Sequence, residues 1–328
     1  SKDATAEIAR SYDVSLIQTE NKGLSNARNL GMEAATGEII AYIDDDAYPD
    51  PDWLKFLAAT FMSSDHVGIG GPNIAPPNDG FAADAVAHAP GGPVHVLLSD
   101  EIAEHIPGCN MAFRLEKLKA IGGFDRRFRV AGDDVDVCWR LQERGWTLGF
   151  APAAVVWHHR RNSIGTYWKQ QKGYARAEAL LADKWPEKYN GAGHLTWSGR
   201  LYGKGLVDSF LNRQKIYHGT WGSSLFQSIY EPAGNVLRAL PLMPEWYFLL
   251  AVLGGPLLAL GLTWSPLLAA VVPVYSLAAA ATLLQAGVAA AKQPLETQPL
   301  KRRVALRASI AWLHLIQPLA RLIGRIRH

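Results

Sequence analysis

Three adjacent carboxylates, Asp44, Asp45 and Asp46, follow the apolar run Ile39-Ile40-Ala41-Tyr42-Ile43. Packed like charges repel, so the cluster calls for a cation or for hydrogen-bond donors. Asp44 and Asp46 bracket one residue, which lets one side chain reach a ribose or water shell while the other binds a hard divalent cation. Mg²⁺ and Mn²⁺ bind in this way, partly hydrated and completed by substrate phosphates. A solvated, helix-capping acid cluster is the plain alternative.

Asp133, Asp134 and Asp136 form a second cluster, at the start of a predicted helix whose apolar positions Val137 and Leu141 face inward and which ends at Gly145. The helix dipole favours carboxylates in a first turn, so capping alone would account for them. An aspartate held there beside a metal-bound diphosphate can equally deprotonate an acceptor hydroxyl. His158 and His159 follow the short apolar run AAVVW, where one imidazole could give the same cation a nitrogen ligand. Two surface histidines are the alternative.

The elements that must position these groups alternate as in an α/β domain. ATAEIARSYD reads as a helix, VSLIQTE as a short strand, SNARNLGMEAAT as a helix closed by Gly37, EIIAYIDDD as a strand, and PDWLKFLAATFMSS as a helix with Pro51 near its start. Alternation predicts a parallel or mixed sheet, whose ligands collect at the carboxyl ends of strands, where Asp44, Asp45 and Asp46 fall. The stretch from Gly71 to Pro107, rich in Pro, Gly and His, reads as a loop.

NKGLSNARNLGMEAATGEIIAYIDDDAYPDPDWL, GCNMAFRLEKLKAIGGFD, GDDVDVCWRLQERGW and VVWHHRRNS, in this order, resemble the successive motifs of family 2 glycosyltransferases. The resemblance covers about residues 1–180. It implies the GT-A fold, a Rossmann-like mixed sheet, and inverting transfer of a sugar from a nucleotide-diphosphate donor to an acceptor hydroxyl, assisted by Mg²⁺ or Mn²⁺. Asp44 and Asp46 match the DxD motif, with Asp46 the leading metal ligand and Asp45 beside the donor. Asp134 matches the catalytic base and Asp133 its acidic neighbour; His158 matches the histidine that completes the metal site. Asn21, Gly23 and Arg28 match a stretch near the donor, although Arg28 could simply pair with an acid. Gly108, Cys109 and Asn110 match the segment that shapes the donor and acceptor pocket, to which Trp139 is also assigned. Cys109 is expected to pack, because inverting transfer needs no nucleophilic thiol.

Two departures modify the expectation. Processive members carry a QxxRW motif near the membrane, whereas YWKQQKGYARAEALL has Gln170 and Gln171 with no RW after them, which favours transfer of a single sugar. Tyr167, Trp168 and Tyr174 could stack on sugar or lipid, or fill a seam. The family also opens with an apolar strand, a helix and a second strand that do not precede Ser1, so a unit of roughly 30 or more residues is expected to be missing. A catalytically silent nucleotide-sugar-binding fragment is therefore the alternative function. A metal-dependent phosphohydrolase is disfavoured for lack of an aspartyl nucleophile motif.

The chain of 328 residues has a net charge of +3, distributed unevenly. From Lys292 onward eight basic residues face the single Glu296, leaving 25 basic and 29 acidic residues elsewhere. WYFLLAVLGGPLLALGLTW (246–264) and PLLAAVVPVYSLAAAATLLQAGVAAA (266–291) carry no charge, and each is long enough for a hydrocarbon core that takes about 20 helical residues. Arg213, Lys215 and Arg238 before the pair and the basic tail after it predict a hairpin in the cell inner membrane with both flanks, and the catalytic domain, on the cytoplasmic side. A buried helical pair in a soluble core is the alternative. The tail 304–327, interrupted by Pro318, is expected to lie in the interface as an amphipathic helix.

The domains expected are thus 1–190, the GT-A domain; 191–245, a connecting region; 246–291, two transmembrane helices; and 292–328, the basic tail. The partners expected are a nucleotide-diphospho-sugar, a hydroxyl acceptor of lipid-linked or cell-envelope type, and a membrane. No nucleic-acid partner is expected; it is the weaker reading of the basic tail, because the basic residues are interleaved with Leu, Ile and Trp. Two cysteines in no zinc spacing argue against a disulfide scaffold.

Overall fold

The computed structural model describes residues 3–190, 195, 197, 215–216, 231–232 and 240–327. The expected connecting region 191–245 lies mostly outside the described residues.

Up to residue 190 the helices are α1 (Thr5–Arg10), α2 (Leu24–Ala34), α3 (Trp53–Ser63), α4 (Phe81–Ala87), α5 (Leu115–Ala120), α6 (Asp133–Glu143) and α7 (Ile164–Lys184). The strands are β1 (Ile39–Ile43), β2 (Ala47–Pro49), β3 (Gly68–Gly70), β4 (Asn73–Ile74), β5 (Val96–Leu97), β6 (Ile102–His105), β7 (Asn110–Arg114), β8 (Leu148–Phe150) and β9 (Val156–His158). Six strands form one sheet in the order β1-β7-β3-β8-β6-β5, in which only the β3–β8 pairing is parallel. A second sheet runs β2-β9-β4 and pairs Ala47 with His158. This is the mixed α/β arrangement that the alternation of elements led to.

The local causes are visible in the sequence. Met32 of α2, Phe113 of β7, Leu118 of α5 and Val137, Cys138 and Leu141 of α6 share one core cluster, as the helical spacing of these apolar positions requires. Trp53, Leu57 and Phe61, one helical face of α3, bury on the other side against Ile69 and Val156. Gly132, with φ +85°, takes the left-handed turn that starts α6, so that Asp133 and Asp134 open the helix.

The segment VSLIQTE is not a strand. Residues 14–20 are exposed and have no partner in the sheet, where β1 is an edge strand bound to β7 alone. Residues 71–107 are not one loop either: they contain β4, α4, β5 and β6, and β6 buries Ala103 and His105 because it pairs on both sides.

Beyond the α/β domain lie α8 (Pro244–Thr263), α9 (Ser265–Ala291) and α10 (Leu300–Ile326). α8 and α9 are long and apolar enough to cross a membrane, and most of their surface faces outward, with Leu262 79% and Leu277 71% exposed. That exposure argues against a buried pair in a soluble core. Close packing between them uses Gly254, where a Cβ would meet the Tyr275 hydroxyl, and Gly261, whose neighbour is the Leu268 backbone.

The tail departs from expectation. Pro318 does not interrupt it; α10 runs unbroken through this residue for 27 residues. Leu306, Ile310 and Leu313 pack with Tyr167 of α7 and Val86 of α4, so this face covers the α/β domain, each side chain contributing about 1.5–3 kcal/mol. Val304, Trp312, Leu319 and Ile326 remain exposed on the helix.

Candidate active site

The turn after β1, the end of β9 and the loops before β7 and α6 converge. Asp44, Asp46 and His158 place one ligand atom each within 4.8 Å of one another. The sheet register explains the approach, since β2, directly after the acids, pairs with β9 and so lays His158 beside them. His158 Nε2 lies 3.0 Å from Asp46 Oδ1, and Arg161 Nη1 lies 3.0 Å from Asp46 Oδ2. Burial acts to raise the Asp46 carboxyl, but His158 and Arg161 outweigh it and hold the group below its usual range. Asp44 is raised, because its burial exceeds the help of Arg28. Asp45 is exposed and stands outside this cluster.

The donor set, two carboxylates and an imidazole, fits a divalent cation of the Mg²⁺ or Mn²⁺ kind. One detail bears on loading. Arg160 Nη1, which can only donate, lies 2.9 Å from His158 Nδ1, so the proton of a neutral ring sits on Nε2, facing Asp46. A cation taken at Nε2 needs the other tautomer, with the hydrogen on Nδ1 and the Arg160 contact released.

Arg28 joins the two acid clusters. Its Nη2 contacts Asp44 Oδ1 at 3.1 Å and the Gly108 carbonyl at 3.0 Å, while Nη1 contacts Asp133 Oδ2 at 2.5 Å. Asp133 is buried, and burial raises its carboxyl in spite of Arg28. Asp134 is 22% exposed, and its Oδ2 accepts the Gly108 amide at 2.9 Å. Burial opposes its ionisation, yet His105, Arg28 and that amide together hold it below the usual range. A Cβ on Gly108 would stand 2.8 Å from Arg28 Nη2, so this position admits no side chain without moving the guanidinium.

Other expected residues lie elsewhere. Asn110 is fully buried and donates to the carbonyls of Pro72 (3.0 Å) and Ala154 (2.8 Å) while accepting from Trp53 Nε1 (2.8 Å). All its amide groups are engaged, so it ties loops together and does not line a pocket. Trp139 is 1% exposed, among Phe128, Leu181, Trp185 and Trp197. Asn21 is exposed and accepts from Gly23 N; Gly23 packs against Arg129, and its segment reaches the acids only through Arg28. Cys109 is buried, and burial pushes its thiol far up, which leaves it no thiolate at neutral pH. Tyr167 is buried with its hydroxyl on the Pro90 carbonyl, and so fills the seam between α7 and α10.

Residues 1–122 match the family model described as Glycosyl transferase family 2. This stretch belongs to glycosyl transferase family 2. Similar curated proteins include the pre-mycofactocin glycosyltransferase of Mycobacterium tuberculosis, 29% identical over 58% of this chain and 43% of that protein. The glucosyl-dolichyl phosphate glucuronosyltransferase of Haloferax volcanii is 31% identical over 38% of this chain and 44% of its own. The poly-beta-1,6-N-acetyl-D-glucosamine synthase of Staphylococcus epidermidis is 27% identical over 57% and 48%. The chain thus spans about half the length of these relatives.

The family motifs did not single out His105, Asn29, Arg160 or Arg161. Asn29 clamps the Phe124 backbone by two 2.7 Å hydrogen bonds and holds the loop that leads to α6. For His105 the signal in the sequence was a polar pair, Glu104-His105, between Ala103 and Ile106 just before GCN.

Proposed function

We propose that this protein transfers a single sugar, with inversion, from a nucleotide-diphosphate donor to a hydroxyl acceptor. The observation that carries the reading is the convergence of Asp44, Asp46 and His158 within 4.8 Å, joined through Arg28 to Asp133 and Asp134. Asp46, Asp44 and His158 would hold Mg²⁺ or Mn²⁺, which when bound supplies positive charge for the diphosphate leaving group. Asp134, partly exposed and ionised, accepts the proton of the acceptor hydroxyl. Asp133 keeps Arg28 in place, and Arg28 in turn aligns Asp44 and the Gly108 loop. Attack on the face opposite the diphosphate inverts the anomeric carbon.

The two outward-facing apolar helices support a hairpin in a membrane with the catalytic domain on the cytoplasmic face, and a lipid-linked or cell-envelope acceptor follows from that location. The name of the Haloferax relative, which refers to a dolichyl phosphate, agrees with such an acceptor. The absence of an RW pair after Gln171 supports transfer of one sugar at a time.

Calorimetric titration of the chain with nucleoside diphosphates and their sugars, with and without Mn²⁺, tests the reading. Cation-dependent binding of one nucleotide is expected. Binding that ignores the cation, in this protein and in Asp46→Ala alike, would remove the assigned metal site. Binding with no turnover would favour a silent nucleotide-sugar-binding protein.

A further inference from the structure

The Asp134 carboxylate faces a second group able to take a proton. His105, at the end of β6, is buried and lies with its ring 5.4 Å from that of Trp197. Its Nδ1 is 3.1 Å from the Val94 carbonyl. A carbonyl only accepts, so Nδ1 carries a hydrogen in every protonation state. The other nitrogen, Nε2, is buried, makes no hydrogen bond, and lies 3.5 Å from Asp134 Oδ2. In the neutral ring Nε2 therefore turns a lone pair toward a carboxylate. Two acceptors face one another, and one proton fits between them.

We propose that the base of this site is the pair His105–Asp134, with His105 as the positioning residue that receives, through Asp134, the proton released by the acceptor. The assignment rests on the reading of Asp134 as the base. As the acceptor oxygen bonds to the anomeric carbon, the electron pair of the broken carbon–oxygen bond departs with the diphosphate. The hydroxyl proton passes to Asp134 and then to the Nε2 lone pair. The product is an imidazolium that keeps Nδ1–H on Val94 and stands against the ionised carboxylate. After product release the proton returns to water by way of Asp134, the exposed member of the pair.

The charges around the pair suit this role. Arg28 from α2, Asp133 from α6, Asp44 beyond β1 and the half-buried Tyr174 from α7 act on Asp134, while His105 meets Asp134, Trp197 and the Val94 carbonyl.

Two experiments on the full chain in detergent test the proposal. The first is the pH profile of kcat/KM for donor hydrolysis, water standing in for the acceptor, across a panel of UDP- and GDP-hexoses. An acid limb in the imidazole range, about 6–7, is expected. In His105→Gln the limb is expected to move into the carboxylate range, with kcat down about 10- to 100-fold and the KM for donor little changed. A limb of the unsubstituted protein already in the carboxylate range overturns the pair, and that result depends on no variant folding.

The second uses ¹⁵N-histidine labelling, with His105 assigned by its absence in His105→Gln. The neutral Nδ1–H form is expected above pH 8, with a protonation midpoint that falls by about 0.5 unit or more in Asp134→Asn. The Nε2–H form, or an unmoved midpoint, overturns the pair. Full turnover in Asp134→Asn overturns the base assignment itself and the pair with it. Lost turnover in Asp134→Asn with an unchanged limb in His105→Gln leaves the base standing and removes only the pair.

Discussion

Arg28 and Asp133 meet at 2.5 Å with both side chains buried, 7% and 1% exposed. The same guanidinium reaches Asp44, so one cation serves two acid clusters that lie far apart in sequence. Charges taken from water in this way are held by each other, and removing one partner strands the rest.

Arg28→Ala is therefore expected to destabilise the domain by about 3–5 kcal/mol, read as a lower denaturation midpoint. Arg28→Lys keeps the charge but loses the fork that spans Asp44, Asp133 and Gly108, and should recover only part of the loss. A midpoint unchanged in Arg28→Ala would show that the link is not structural.

At Asp134 the expectation concerns rate. Asp134→Asn should lower turnover by about 10²- to 10⁴-fold while leaving cation and donor affinity nearly unchanged. Steady-state kinetics paired with calorimetry separates the two effects, and unchanged turnover would dismiss the base.

Cation binding should depend on His158. Its Nδ1 lies 2.9 Å from Arg160 Nη1, and a cation at Nε2 takes the ring in its Nδ1–H form, so the Arg160 contact has to yield. Calorimetric titration of Mn²⁺ should show an affinity lower by about 10-fold or more in His158→Gln. An equal affinity would mean that His158 is not a ligand.

Acid should weaken the fold through Asp125. Its carboxylate lies 2.7 Å from both Lys184 and Arg127; burial opposes ionisation, but these bonds hold the group far below its usual 3.8. A folded value below the unfolded one gives stability that is present above about pH 4 and lost as the pH falls further. Melting curves at pH 7, 4 and 3 should show a steeper decline for the unsubstituted protein than for Asp125→Asn.

Asn110 supplies a contrast to the clustered acids. Asn110→Ala strands the Pro72 and Ala154 carbonyls and the Trp53 indole, each worth about 1–3 kcal/mol when buried and unpaired. Its effect should appear in stability and expression before it appears in KM.

The alternation of elements, the two acid clusters and the apolar hairpin were legible because each has a short-range signature: period, adjacent charge or unbroken hydropathy. Asp44, Asp46 and His158 came together as their motifs implied. His105 was not legible, since its role depends on a carbonyl 11 residues away and a carboxylate on another element. Asn110 and Trp139 are both buried, for a related reason not legible in the motif: a motif marks a position, while the fold decides how far the side chain is buried. VSLIQTE had the composition of a strand but no partner, and a strand exists only in a pair. Pro318 breaks an isolated helix, yet α10 has α7, α4 and α9 to hold it together.

The bonds between the tail and its neighbours set a scale. Arg321 binds Glu178 and Gln171 of α7, and Arg325 binds Glu178 and, at 2.9 Å, Glu245 in the first turn of α8. The α/β domain is thereby fastened to the root of the hairpin. With that hairpin in a bilayer, Asp134 stands at a fixed height over the lipid headgroups. The distance from an acceptor's lipid to its reactive hydroxyl then becomes a criterion of selection: a short stem cannot reach the base and a long one passes it. The enzyme would measure its acceptor by length, with a helix for its ruler.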